Sequence, residues 1–142
     1  MVMEINSEIK RIILHCFITA FVYILIYYLS YRVLSYRIFY IELFVWMAEN
    51  KYCYIWILSF LFILFRKYIL SYCVTFGNIL GIFIGQYLGD YIRNIRMEKI
   101  TPFSTVEQKW YLSMHYGVAI WIIVILIFLI IGLVVSRIIN KK

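Results

Sequence analysis

Two long apolar runs, residues 12–31 and 116–136, contain no charged side chain. Each has about 20 residues, the length that an α-helix needs to cross the hydrocarbon core of a bilayer. The composition agrees, because 65% of the 142 residues are hydrophobic, against about 45–50% in soluble domains. We therefore expect a single all-α integral membrane domain over residues 1–142, with the first run as a retained span because no small-residue cleavage site follows it.

The region between these runs predicts two more spans. Residues 68–92 are long enough to cross a bilayer with some tilt. Residues 52–67 form a shorter apolar run, which Arg66 and Lys67 extend because long basic side chains can reach from the bilayer to the headgroups. With the two long runs, this makes four transmembrane helices.

Residues 33–49 predict a short amphipathic helix. Their polar side chains Ser35, Glu42 and Glu49 recur every seven residues, a narrow line that is typical of a helix lying along the membrane surface or re-entering it. If this segment crosses the bilayer instead, the chain has five spans, and the sequence leaves that alternative open.

A second amphipathic helix is predicted over residues 104–115, just before the last span. The only proline of the chain, Pro102, ends what precedes it, and Ser104 and Glu107 have the spacing of a capping box. The helix should then start at about Thr105. We interpret it as a lead-in to the last span, with a gate or a partner-docking surface as the functional alternative.

Lysine and arginine do not choose an orientation. Basic residues are enriched on the cytoplasmic side of membrane proteins, but with four spans or with five, the 14 Lys and Arg residues divide equally between the two sides. Either the chain inserts in both directions and pairs antiparallel, or the first span dominates. The second interpretation is favoured, with Lys10 and Arg11 keeping the N-terminus in the cytoplasm.

The predicted third span carries a line of small residues. Four of the six glycines of the chain follow one another at intervals of four: Gly77, Gly81, Gly85 and Gly89. In lipid, helices associate through close backbone packing over small residues and through interhelical hydrogen bonds. This line is therefore predicted to face another helix, either in the same chain, which is the commoner case, or in a second copy.

A polar stripe runs beside the glycines, about 100° around the same helix. It consists of Ser71, Thr75, Asn78, Gln86 and Asp90, with Arg93 one turn beyond Asp90. Polar side chains at membrane depth are costly unless they pair or meet water. The stripe therefore predicts either hydrogen bonds between helices or a hydrophilic path, and Asp90 with Arg93 predicts an ion pair at the membrane interface.

The chain offers little for chemistry. The three cysteines, Cys16, Cys53 and Cys73, are isolated among apolar residues, and His15 and His115 stand alone. No hydrolase, metalloprotease or phosphate-loop motif occurs. We therefore expect no enzyme, no catalytic residue, no metal site and no cofactor.

The net charge of +7 is scattered over the predicted span ends. This distribution favours contact with anionic lipid headgroups over nucleic acid. The four tryptophans, Trp46, Trp56, Trp110 and Trp121, are interpreted as anchors in the headgroup zone.

In size, basic charge and span number the chain resembles the small multidrug-resistance transporters and the fluoride channels. Their motifs are not carried over, since residues 12–31 contain no acid and 102-PFST-105 lies in a polar loop. The resemblance is one of size, and no family is assigned.

Two functions are expected. The first is an oligomeric channel or transporter-type subunit for an unidentified ion or small solute. The alternative is a non-transporting accessory, immunity or assembly subunit of a larger membrane complex. The high content of Ile, Tyr, Phe and Lys, with only three alanines, indicates an AT-rich genome and so favours a bacterial plasma membrane.

Overall fold

The structure, a computed structural model, describes residues 2–29 and 54–139. Within these residues it contains helices and no strand, so the expectation of an all-α chain is confirmed there. The helices are α1 (Val2–Leu29), α2 (Tyr54–Leu64), α3 (Tyr68–Met97), α4 (Val106–Ser113) and α5 (Gly117–Ile139). The amphipathic helix predicted at 33–49 lies outside the described residues.

Three of the predicted spans are long and apolar enough to cross a membrane. They correspond to Ser7–Ile26 in α1, to Tyr68–Met97, and to the stretch Val106–Ile139, whose apolar part is α5. At about 1.5 Å per residue, the 11 residues of α2 reach only about half of a hydrocarbon core of about 30 Å. A membrane location is supported by these three helices.

Two helices extend beyond the apolar runs that predicted them. α1 begins at Val2 rather than near residue 12, and α3 continues to Met97 rather than ending at residue 92. Backbone hydrogen bonding in a helix does not depend on the bilayer, and Lys, Arg and Glu are good helix formers. The charged residues at these ends therefore continue the helices beyond the apolar runs.

A tight turn joins α2 to α3. The N–H of Lys67 donates to Phe62 O at 2.7 Å and the N–H of Arg66 to Ile63 O at 2.8 Å, which is the hydrogen-bond pattern of a Schellman motif. Arg66 has φ of 59°, the left-handed conformation that this motif requires after a helix. Its guanidinium lies 2.5 Å from Glu8 of α1, a largely exposed pair that contributes little stability.

α3 is the central helix. It packs against α5 along most of its length and against α2 on another side, whereas α1 contacts mainly α2. The buried core between α3 and α5 consists of Ile82, Trp121 and Ile125. Most large apolar side chains of α1 and of the outer face of α5 are exposed, as expected for surfaces that face lipid or another membrane helix.

The start of α4 is capped one residue later than the sequence predicted. Gln108 N donates to Thr105 Oγ1 at 3.2 Å and Thr105 N donates to Gln108 Oε1 at 3.1 Å, so the capping box is Thr105–Gln108. Ser104 is used by the preceding turn, where its Oγ accepts from Thr101 N at 2.9 Å. The predicted pairing of Ser104 with Glu107 is wrong for that reason.

The two overlapping capping patterns lead to opposite expectations for two matched variants. Thr105→Ala should lower the stability of α4 by about 1 kcal/mol because it removes the acceptor at the helix start. Hydrogen–deuterium exchange in nanodiscs should then show about fivefold faster exchange at the Gln108 amide, with Ser104→Ala near wild type. Equal acceleration in both variants would contradict the Thr105 cap.

Candidate functional site

The glycine line of α3 lies against α5 of the same chain. A Cβ added at Gly77 would lie 2.6 Å from Phe128 Cβ, and one added at Gly81 would lie 2.8 Å from Trp121 Cδ1. These distances are too short for a real Cβ. The backbones of α3 and α5 can approach closely because no side chain separates them at these positions.

The close approach continues toward the end of α3. A Cβ on Gly89 would meet the His115 ring at 2.5 Å and the backbone nitrogen of Gly117 at 2.9 Å. Gly85 is buried as well, and its carbonyl oxygen lies 2.9 Å from the position of a Cβ on Gly117. Gly117 therefore completes a two-sided glycine contact that the sequence analysis did not include.

In the middle of the stripe, Asn78 contacts α5. Trp121 Nε1 donates a hydrogen bond to Asn78 Oδ1 at 2.8 Å, and both side chains are only 1% exposed. The interpretation of Trp121 as a headgroup anchor is therefore wrong. Its indole fills the space beside Gly81, and its N–H donates to the amide oxygen of Asn78, the residue that follows Gly77.

On the α2 side, the stripe joins a chain of hydroxyl groups. Thr75 Oγ1 donates to the backbone oxygen of Ser71 at 2.9 Å and lies 3.1 Å from Ser59 Oγ, which in turn lies 3.0 Å from Tyr23 OH. All four residues are buried. This cluster connects α1, α2 and α3, and Ser59 and Tyr23 are members that the sequence did not reveal.

Two further hydroxyl groups border this cluster. Thr19 Oγ1 and Ser71 Oγ are buried and have no hydrogen-bond partner in the described part of the chain. Thr19 lies one helical turn before Tyr23, and Ser71 lies one turn before Thr75, so each adds to the polar lining next to the hydrogen-bonded hydroxyls.

At the far end of the stripe, Asp90 meets a histidine. Gln86 Nε2 donates to Asp90 Oδ2 at 2.8 Å, and His115 Nε2 lies 3.2 Å from Asp90 Oδ1. The N–H of Gly117 donates to His115 Nδ1 at 3.1 Å. Because Nδ1 accepts this bond, the neutral imidazole carries its proton on Nε2, the nitrogen that faces the carboxylate.

The predicted Asp90–Arg93 ion pair is replaced by this Asp90–His115 contact. Arg93 Nε is buried and has no hydrogen-bond partner within residues 2–29 and 54–139. Arg96, one turn further on, donates to Tyr111 O at 2.6 Å, and its guanidinium carbon lies 4.6 Å and 4.9 Å from the ring centroids of Tyr111 and Tyr116. Arg96 thus attaches α4 and the start of α5 to α3.

The other histidine lies near the opposite end of α3. The His15 ring stacks on Tyr68 with centroids 4.1 Å apart, and its Nδ1 contacts Tyr72 OH. The two histidines therefore belong to separate ends of α3. Among the described residues, no three His, Cys, Asp or Glu side chains converge to hold a metal ion, and Cys16 and Cys73 are free thiols.

The polar stripe therefore meets side chains along most of its length. Thr75 faces α2, Asn78 faces α5, and Gln86 with Asp90 faces the connector before α5.

A comparison of the chain with protein-family models, curated proteins and solved structures found no match.

Proposed function

We propose that this chain is a small multi-pass membrane subunit that works by packing against a larger membrane-protein partner and transports no solute itself. The observation that carries the proposal is the pairing of the α3 stripe within the chain, above all the buried bond between Trp121 and Asn78. Polar groups that hydrogen-bond between helices stabilise the helix packing. They explain the stripe without a water-filled path.

Among the described residues, one surface available to a partner is on the α1 side. An apolar groove of about 390 Å³ lies between α1, α3 and α5, with Val22, Phe76 and Phe128 in its walls. Membrane helices associate by van der Waals packing into such grooves. α1 contacts α3 less than it contacts α2, so side chains of a partner helix can enter this groove. A bacterial plasma membrane is the proposed setting.

The test compares two tryptophan variants on the same helix. Tagged protein is extracted from its native membrane in mild detergent, and a second polypeptide is expected at fixed stoichiometry. Val22→Trp should release that polypeptide because the indole fills the groove. Ile24→Trp, on the exposed face of α1, should retain it. A partner retained equally by both variants, or a chain that purifies alone, would contradict the proposal.

A transport function is the second candidate, favoured by one observation. Asp90 belongs to α3, which is long enough to cross the membrane, and it faces His115 of the connector before α5. Ionisable residues within membrane helices often mark ion or proton pathways. As an oligomeric channel or transporter-type subunit, the purified chain should conduct an ion or small solute in liposomes. Flux that Asp90→Asn abolishes would favour this candidate over the first, whereas flux no greater than that of empty liposomes would remove it.

A further inference from the structure

The connector between α3 and α5 lies at the membrane surface because both helices are long enough to cross the bilayer. Its apolar side chains are strongly exposed: Phe103 is 95% exposed, Val106 84% and Trp110 65%. α4 itself has no buried residue. These side chains therefore project outward from the surface on which the two spans end.

The end of α3, which leads into this connector, carries a cation that has no ion pair among the described residues. Arg93 follows Gly89 by four residues and so continues the glycine line, and its Nε is buried with no hydrogen-bond partner among residues 2–29 and 54–139. Asp90, the acid nearest to it along α3, contacts Gln86 and His115 instead. Arg96 differs from Arg93 because Tyr111 accepts its hydrogen bond. Neither arginine forms an ion pair within the described residues, but Arg96 is held by Tyr111 whereas Arg93 is not.

We propose that α4 and the end of α3 form a docking surface for one anionic phospholipid. Arg93 binds the phosphate, and the acyl chains lie against Phe103, Val106 and Trp110. Guanidinium groups bind phosphate oxygens through two parallel N–H donors, and tryptophan favours the headgroup zone. The lipid proposal depends on the membrane location alone. It can therefore fail while the proposed subunit function holds, and it can hold while the subunit function fails.

The position of α4 between two spans and the charge of this region both favour a lipid at this surface. A helix between two spans that exposes its apolar side chains is placed at the boundary between headgroups and acyl chains. Residues 91–117 carry the basic side chains Arg93, Arg96, Lys99 and Lys109 and the acidic Glu98 and Glu107. The excess of basic charge attracts anionic headgroups more strongly than zwitterionic ones.

Native mass spectrometry of the full-length protein tests the headgroup contact. Delipidated protein is titrated with phosphatidylglycerol or with phosphatidylcholine. Phosphatidylglycerol is expected to bind about fivefold more tightly than phosphatidylcholine. Arg93→Gln should lower phosphatidylglycerol affinity about fivefold, with a smaller loss for Arg93→Lys. Arg137→Gln is the matched control because Arg137 is exposed at the other end of α5. Equal losses in the Arg93→Gln and Arg137→Gln variants would overturn the proposal.

A second variant protects the test against misfolding of the Arg93 variants. Phe103→Ser changes a side chain that is almost fully exposed, so the fold should persist while lipid affinity falls about threefold or more. Unchanged affinity would contradict the acyl contact. Millimolar inorganic phosphate should leave the lipid bound, and displacement of the lipid would show that the site recognises free phosphate instead.

Photo-crosslinking distinguishes a lipid from a protein on the same surface. With p-benzoylphenylalanine in place of Phe103, irradiation in native membranes should give an adduct with the mass of a phospholipid. An adduct with a second polypeptide would overturn the assignment of this surface to lipid.

Discussion

Substitution of Gly89 by alanine is expected to lower the free energy of unfolding by about 3 kcal/mol, which is the upper part of the usual range for overpacking. The added methyl group would lie 2.5 Å from the His115 ring and 2.9 Å from the backbone nitrogen of Gly117. The ring could turn away, but the backbone of α5 can move only if the helix moves. The variant should therefore separate α5 from the end of α3.

A loss of stability in Gly89→Ala would be evidence for the helix contact, because alanine normally stabilises a helix relative to glycine. In a helix without tertiary contacts, alanine is about 1 kcal/mol more favourable than glycine, so a loss of stability must come from the contact with α5. Reversible unfolding in mixed micelles would measure it. Gly132→Ala is the control, because the atoms nearest to its added methyl group are side-chain atoms of Cys73 and Leu70 at 3.0–3.2 Å. This overlap is smaller than that at Gly89, and a shift of a few tenths of an ångström would relieve it. Equal losses in both variants would show that the backbone contact is not the cause.

Trp121→Phe is expected to cost about 2 kcal/mol, the second large effect. The substitution removes the indole N–H, leaves Asn78 Oδ1 buried without this donor and reduces the volume that fills the core beside Gly81. An unsatisfied buried polar group costs about 1–3 kcal/mol. Trp110→Phe should stay within about 0.5 kcal/mol of wild type, because Trp110 is exposed on α4.

A double-mutant cycle isolates the hydrogen bond from the volume change. Asn78→Leu combined with Trp121→Phe removes both polar partners, so the double variant should be more stable than the sum of the two single losses predicts. A coupling of about 0.6–1.7 kcal/mol is typical of hydrogen bonds between membrane helices. A coupling near zero would mean that the two side chains contribute through packing alone.

The sequence predicted three long apolar helices because their signal is local. Apolar runs of sufficient length indicated α1, α3 and α5, and the four-residue glycine spacing indicated that one line of α3 packs closely. The sequence did not indicate which helix would occupy that line. Trp121 lies 43 positions from Asn78, and no periodicity within a single helix connects residues on two different helices.

The errors have physical reasons of the same kind. The sequence predicts a headgroup position for Trp121 because tryptophans are frequent there, but an indole also fits a groove between helices that is lined by glycines. Asp90 was paired with Arg93 because they are one turn apart, whereas the connector brings His115 closer. The predicted N-cap of α4, Ser104, is one residue before the observed one, Thr105. Two capping patterns overlap here, and the sequence does not show that Ser104 Oγ already accepts a hydrogen bond from the preceding turn.

The glycine line of α3 is covered by α5, a helix that follows it in the chain, and this order matters for folding. α3 precedes α5 in the chain, so if the helices insert in the order of synthesis, the glycines and Asn78 stay uncovered until α5 is inserted beside them. Folding after insertion is the general pathway for membrane helices, and here the last helix completes the packing of an earlier one. During that interval the groove is open to whatever helix is near, including those of the insertion machinery or of another newly made chain.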